Sequence, residues 1–407
     1  MSFFGFLRSN APFLLAGALL SFSSSFGQTF FISVFAGEIM GTFGLSDGQW
    51  GLIYTVGTTL SALAMVWAGA LTDRYRVRAL ANIVGPGLAL SCLAMAAVPG
   101  PVLLVFVIFA LRLFGQGLFS HLSVVAMARW FIGRRGMALS ISSLGFALGQ
   151  AVLPVGAAAA LLTMNWRWLW VVAAGLILAA LPVLALLLRN ERTPQSVASS
   201  APMAGMDNHH WSRAEVLRHP LFWFSIPVLL GPAAWGTSLF FQQVHFAAIK
   251  GWALVDYVAL MPVFTTLAII STFTTGALID RFGTARLMML FMLPFAFGFL
   301  LLWQAESLHM AAAGLGMVAL GVGAQATLPG SYWAEFFGTR HIGAIKAAAG
   351  AIMVFGSAIG PGISGWLIDA GYNFEEQLPW IAAYFVFAAV SITIGLTAAR
   401  KRLPATP

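Results

Sequence analysis

Apolar stretches long enough to cross a bilayer alternate with short polar breaks along the whole chain. A helix crossing a hydrocarbon core of ~30 Å needs about 20 apolar residues. That length recurs over Pro12–Ala36, Gly48–Leu71, Leu80–Val98, Val102–Met127, Gly136–Leu162 and Trp168–Leu188. Beyond a polar centre it recurs over Leu221–Ile249, Leu254–Leu278, Leu287–Trp303, Met310–Tyr332, Ile342–Ile368 and Leu378–Ala398. The pattern predicts an all-α membrane protein of twelve transmembrane helices in two six-helix bundles. The bundles would occupy residues 1–188 and 221–407, with a linker over 189–220. The linker carries Arg, Glu, Pro, Ser, Asp and the pair His209-His210, and its Trp211–Leu217 stretch reads as a short amphipathic piece. Two adjacent histidines without a third nearby ligand read as a solvated loop rather than a metal site.

The two halves repeat each other. Gly69-Ala-Leu-Thr-Asp73-Arg74-Tyr-Arg76-Val-Arg78 returns as Gly276-Ala-Leu-Ile-Asp280-Arg281-Phe-Gly283-Thr-Ala-Arg286, with Gly69 and Gly276 standing 207 positions apart. After the fourth and tenth spans, Ala128-Arg-Trp-Phe-Ile-Gly-Arg134-Arg135-Gly136 matches Ala334-Glu335-Phe-Phe-Gly-Thr-Arg340-His-Ile-Gly343, at an offset of 206. A near-constant offset across two loops marks a duplicated bundle, the architecture of many solute carriers. Gly145, Gly149, Gly231, Gly356, Gly360 and Gly365, with Pro154, Pro232 and Pro361, fall inside spans, where small residues let helices approach closely.

Composition strengthens this picture. Sixty per cent of residues are hydrophobic and 8% charged, against about 25% charged in a soluble domain, and the mean hydropathy is +0.88. The net charge of +8 could suggest nucleic acid, but its placement orients the chain instead. Of the 21 basic residues, all but Arg112, Arg167 and Lys250 fall on the side of the linker and both termini. That asymmetry places the linker and termini in the cytoplasm. Cys92 is the only cysteine and lies in the third span, so no intrachain disulfide is possible. The N-terminus lacks the charged start and cleavage site of a signal peptide, so the first span is expected to stay as a helix. Short loops leave no room for a soluble catalytic domain, and no enzyme, cofactor or metal is expected.

Gly69-x-x-x-Asp73-Arg74 and its repeat resemble the loop motif between spans two and three of the major facilitator superfamily. Arg112-Leu-Phe-Gly115-Gln116-Gly117 looks like that superfamily's arginine motif in span four. The resemblance covers essentially the whole chain and implies two pseudo-symmetric bundles that move a solute by alternating access. One departure is Arg76, where the family's first copy usually has glycine; the second copy keeps Gly283. Trp130-Phe-Ile-Gly-Arg-Arg-Gly-Met-Ala138, Glu335-Phe-Phe-Gly-Thr-Arg340 and Phe240-Phe-Gln-Gln-Val-His245 resemble the monocarboxylate and oxalate–formate branch. That branch's basic residue in span eight is missing, and so is the glycine-proline pair of the antiporter motif in span five.

Arg112 lies ten residues into its span, about 15 Å deep and close to the midplane. A cation there costs several kcal/mol unless it faces a wet cavity or a partner. On a wheel of 100° steps Gln116, Ser120 and Ser123 share its stripe, with His121 opposite as a packing or interhelix hydrogen-bonding residue. No carboxylate sits deep in any span. Two readings stay open: Arg112 pairs an anionic substrate in transit, or it only ties span four to backbone carbonyls of span one. Gln28, Gln150, Trp235, Gln242, Gln325 and Tyr332 join Arg112 and Gln116 as substrate-binding candidates, each with helix–helix hydrogen bonding as its alternative. Asp73, Arg74, Asp280, Arg281, Arg134, Glu335 and Arg340 are the candidate gating charges. The expected function is a secondary transporter of a small organic anion; the alternative is an exporter of lipophilic, drug-like compounds. Expected partners are a small-molecule substrate and the lipid bilayer, with a coupled proton or counter-anion left open. No nucleic acid is expected. The chain is expected as a monomer in the cell membrane, of bacterial inner-membrane type.

Overall fold

The computed structural model describes residues 3–68, 71–131, 135–189 and 204–403, and among these there is no strand. Ten of their helices are long and apolar enough to cross a membrane, and a bent pair in the first span makes eleven. The 22-residue helix Asp47–Ala68 stands where the second span is expected. Helices therefore fall on all twelve positions read from the sequence. In hydrocarbon every backbone N–H and C=O must be satisfied within the protein, which leaves helix as the only economical conformation for such segments.

The chain divides into two compact units, Met1–Ala198 and Ser199–Pro407. In the first unit, span one packs on spans four and five, span two on four, and span three on six. In the second, span seven packs on eleven and twelve, span eight on ten, and span nine on ten and twelve. The same glycine spacing makes the equivalent contact in both. A Cβ on Gly145 would lie 1.8 Å from the Ala18 carbonyl oxygen, and one on Gly149 would lie 2.1 Å from Ser25 Oγ. In the second unit a Cβ on Gly356 would meet the Leu230 carbonyl at 3.0 Å, and one on Gly360 the Ala234 carbonyl at 2.3 Å. Apolar area alone does not hold helices together in lipid, so this close approach is what seats span five on one and span eleven on seven.

Four expected spans are not continuous; in span eight Leu254–Val258 is followed by a new helix from Met261. Span one leaves the α-helix at Ser24, runs through a 3₁₀ turn to Gly27 and an extended Gln28, and resumes at Thr29. The two pieces are bent by 48°. Span seven stops at Phe241 and restarts at Gln243, with Gln242 out of helical register. Span nine is Thr284–Leu290 followed by Leu293–Trp303, whose first turn holds Pro294. Proline lacks an N–H and is pre-set for a first turn, so a helix restarts there readily.

The linker's later part belongs to the second unit. Ser212 caps the helix Arg213–Arg218 in a reciprocal pair with Glu215, the amphipathic piece expected over Trp211–Leu217. The Trp211 amide donates to the Phe337 carbonyl at 3.2 Å, and its ring lies edge-on to Phe337 and His219. Arg402 bonds Asp207 with two guanidinium nitrogens. His209 lies 3.3 Å from Glu215 and is exposed.

Candidate functional site

The break in span one and the arginine of span four meet. The guanidinium of Arg112 is 1% exposed. Its Nη1 donates to the Gly27 carbonyl at 3.2 Å and to Thr29 Oγ1 at 3.3 Å. Its Cζ sits 5.3 Å from the centre of the Tyr54 ring, and the Tyr54 hydroxyl is hydrogen-bonded to Thr29 Oγ1 at 2.5 Å. The break leaves backbone groups without helical partners, and Arg112 satisfies one of them. Its Nε has no partner among the described residues, and none of the described carboxylates forms an ion pair with it.

Span four accommodates this by changing its own helix. Residues Arg112–Phe119 form a π-helix, so the 100° wheel does not describe this stretch. The wider turn alters the direction of every side chain after Arg112. Ser123, expected on the arginine's stripe, instead faces spans one and five: its Oγ donates to the Gly17 carbonyl at 2.9 Å and lies 2.5 Å from Ser142 Oγ. His121 bridges to Thr72 at 3.2 Å, the interhelix role expected of it. The π turn also lets Gly115 lie against the break. A Cβ on Gly115 would sit 2.6 Å from Gly27 Cα, and one on Gly27 would sit 2.2 Å from the Leu111 carbonyl. π turns within α-helices are frequent at functional sites.

The other candidates separate into committed and uncommitted groups. Gln242 donates to Ser364 Oγ at 3.2 Å, and Tyr332, fully buried, shares a 2.8 Å hydrogen bond with Ser225. Both hold helices together. Trp235 is half-buried, edge-on to Tyr384. By contrast, the side-chain amides of Gln28, Gln116, Gln150 and Gln325 make no hydrogen bond among the described residues. The last three are only half-buried. Three of the four stand next in sequence to glycines that lie at the break. Gln28 follows Gly27, Gln116 follows Gly115, and Gln150 follows Gly149, which touches Ser25. Ser25 Oγ, within the break, is buried and also without a partner among the described residues.

The gating candidates are less fully described. Arg134 lies outside the described residues, as do the side chains of Asp73, Arg74 and Asp280. Arg281 and Arg340 are exposed. Glu335 accepts a 2.6 Å hydrogen bond from Thr284 Oγ1, so the second copy of the loop motif is tied to the end of span ten. The two motif copies differ in their turns. Gly283 has φ 76° and ψ 162°, whereas Arg76 at the matching place has φ −69° and ψ 147°. Glycine is needed in the second copy and not in the first, which accounts for the departure at Arg76.

An apolar cavity lies in the first unit. Phe26, Phe31, Phe35, Leu153, Ala157 and Leu176 line an apolar space of about 230 Å³ between spans one, five and six.

The family model of the Major Facilitator Superfamily matches residues 17–283 and 259–407. A stretch of 144 residues is 29% identical to the "Uncharacterized 38 kDa protein in 23S RNA operon" of Thermoproteus tenax. That match covers 35% of this chain and only 38% of the relative's length. Among solved structures, the fold is similar to a bacterial homolog of the human lysosomal transporter Spinster. Its inward-facing, unoccupied form aligns with a TM-score of 0.73 and 16% identity over 98% of this chain and 99% of that one. Its inward-facing, occupied form aligns at 0.67 and 16% over 97% and 95%.

Proposed function

Because the chain belongs to the Major Facilitator Superfamily, we propose that this multi-pass membrane transporter moves a small organic anion by alternating access, and that the break in span one is where the anion is held. The observation behind this is Arg112, buried at the break without a carboxylate partner among the described residues and with Nε unbonded, in a segment whose Ser25 hydroxyl is also buried without a partner among them. A carboxylate or similar anion supplies the charge that the site lacks, and neutral amides orient it without adding repulsion. Asp73, Arg74, Arg134, Asp280, Arg281, Glu335 and Arg340 are proposed as the inner gate, in a protein with linker and termini in the cytoplasm. The apolar cavity beside Phe26 and Phe31 supports a second reading, export of a lipophilic compound.

A panel of small carboxylates and of lipophilic compounds is screened for thermal stabilisation of the purified protein, since a bound solute raises stability by mass action. Gln116→Ala and Gln28→Ala are the clean variants, because neither amide supports the fold. Each should lose about 1 kcal/mol of carboxylate binding with the empty protein's melting point unchanged. Arg112→Gln should abolish the stabilisation, and Arg112→Lys should keep part of it, because the forked guanidinium is lost. If a folded Arg112→Gln protein binds its solute normally, the anion reading fails. Stabilisation by lipophiles alone, reduced by Ala157→Phe, establishes the second reading.

A further inference from the structure

The first unit carries a second polar feature that the transport site does not use. Arg167 opens the helix Trp166–Leu187, at the end of span six remote from the linker. Its Nη1 donates to the Ala96 and Val98 carbonyls at 2.7 and 3.0 Å, closing the C-terminus of span three. Its Cζ rests 4.6 Å from the Trp166 ring centre. None of the described carboxylates forms an ion pair with it. By contrast, Lys250 of the second unit has an acid partner, Glu375 at 2.6 Å. Arg167 therefore keeps a net positive charge beside a helix N-terminus, where the macrodipole adds to it.

This charge borders a groove of about 580 Å³ between spans three and six. Asn165, Arg167 and Trp168 line its polar end, and Leu93, Ala97 and Val171 its apolar part. Trp168 is 64% and Leu93 38% exposed. Both belong to the outer surface of the unit, with Leu90 and Val172 further along the same two helices also exposed. In a membrane protein that surface faces acyl chains, and an exposed tryptophan beside a cation marks the headgroup level. A free small anion would find no use for the apolar part, and a neutral lipid would leave Arg167 uncompensated.

We propose that this groove is a binding site for one anionic phospholipid. Its phosphate meets Arg167 and the start of span six, Trp168 packs beside the glycerol region, and an acyl chain lies along Leu93, Ala97 and Val171. The lipid would join the ends of spans three and six on the side away from the linker, and so steady the first bundle independently of the solute.

The test is retention and melting of the purified protein in neutral detergent, titrated with short-chain phosphatidylglycerol, phosphatidylcholine or inorganic phosphate. Phosphatidylglycerol should bind by native mass spectrometry and raise the melting temperature more than phosphatidylcholine, and inorganic phosphate should do neither. Arg167→Gln should weaken phosphatidylglycerol retention about tenfold or more, as expected for a lost charged contact. Since that variant also uncaps span three, Ala97→Trp is the second probe. It fills the apolar part, leaves Arg167 intact, and should lower retention without lowering the melting point of lipid-free protein. Equal effects of the two lipids, a full effect from inorganic phosphate, or unchanged retention in Ala97→Trp would each overturn the proposal.

Discussion

The contact between Gly27 and Gly115 makes the site sensitive to a single methyl group. In Gly115→Ala the new Cβ would stand 2.6 Å from Gly27 Cα, 2.8 Å from Gly27 N and 3.2 Å from the Ser24 carbonyl. All three are backbone atoms, so no side-chain rotation relieves the clash. Span four must move away from the break, and the 3.2 Å bond from Arg112 to the Gly27 carbonyl is stretched or lost. Forcing a methyl into a packed contact costs about 1–3 kcal/mol, and losing a hydrogen bond to a charged group about 1.5–3 kcal/mol. The two share one geometry and do not fully add, so a loss of about 3–5 kcal/mol is expected. Gly175→Ala is the control: nothing lies within 4 Å of a Cβ there, and replacing a mid-helix glycine should be neutral or gain about 0.5–1 kcal/mol. The single cysteine provides the assay. Cys92 is buried in span three, so a thiol-reactive fluorophore reports unfolding of the first unit on heating. Gly115→Ala should melt well below wild type, and Gly175→Ala at or above it. If the two glycine variants melt together, the close approach at the break is not what holds spans one and four.

Two further outcomes follow from the second unit. The His219 ring lies beside Arg402 and, with Nδ1, near the Leu221 amide; a neutral imidazole has one acceptor nitrogen and a protonated one has none. Burial and Arg402 lower its pKa against the opposing effect of Asp207. The unfolded segment thus takes up a proton first, and the attachment of 204–219 is full above pH ~6.5 and weakens as pH falls below it. Glu215, held down to about 2 by its hydrogen bonds to Ser212, stays ionised throughout. Amide hydrogen exchange at Trp211 and Val216, corrected for intrinsic rate, should quicken between pH 7.5 and 5.5 in wild type but not in His219→Leu; equal change in both would remove His219 from the account. At the loop motif, Thr284→Val removes the hydrogen bond to Glu335 and should cost about 1 kcal/mol, whereas Glu335→Gln keeps an acceptor oxygen and should cost less. Equal melting of the two variants would show that this bond does not hold the loop.

What the sequence made legible is what depends on long averages. Runs of about 20 apolar residues located every span, because hydrocarbon enforces helix whatever the detailed order. The repeated Gly69 and Gly276 motifs gave the duplication, and His121 and the Trp211–Leu217 piece fell in the roles expected. What was not legible is local. Nothing in Ser23-Ser-Ser-Phe-Gly-Gln28 distinguishes a broken span from a serine-rich helix until Gly115 and Arg112 lie against it. The π-helix over Arg112–Phe119 is invisible to a wheel that assumes a constant step, and it redirected Ser123 toward spans one and five. Nor could composition separate Gln242 from Gln116, since both are glutamines on polar faces. Only the presence of Ser364 beside one makes it structural.

Both units fasten their helices with buried polar groups, through different residues. In the second, Tyr332 takes Ser225, Gln242 takes Ser364, Gln377 takes the Ser364 and Tyr372 carbonyls, and Tyr384 takes the Pro227 carbonyl. Its helices are fastened to one another, with the Gln325 amide making no hydrogen bond and Thr265 Oγ1 and Gln377 Oε1 buried without a partner among the described residues. In the first, Ser123 takes the Gly17 carbonyl and Ser142, His121 takes Thr72, Arg167 takes the Ala96 and Val98 carbonyls and Arg112 fastens the break, while the amides of Gln28, Gln116 and Gln150 and the Ser25 hydroxyl make no hydrogen bond among the described residues. Left unbonded inside a membrane protein, such groups cost free energy and return nothing to the fold. Their retention is understandable if a passing solute completes them. If the proposed site is right, the substitutions that alter specificity should concentrate around the break in span one.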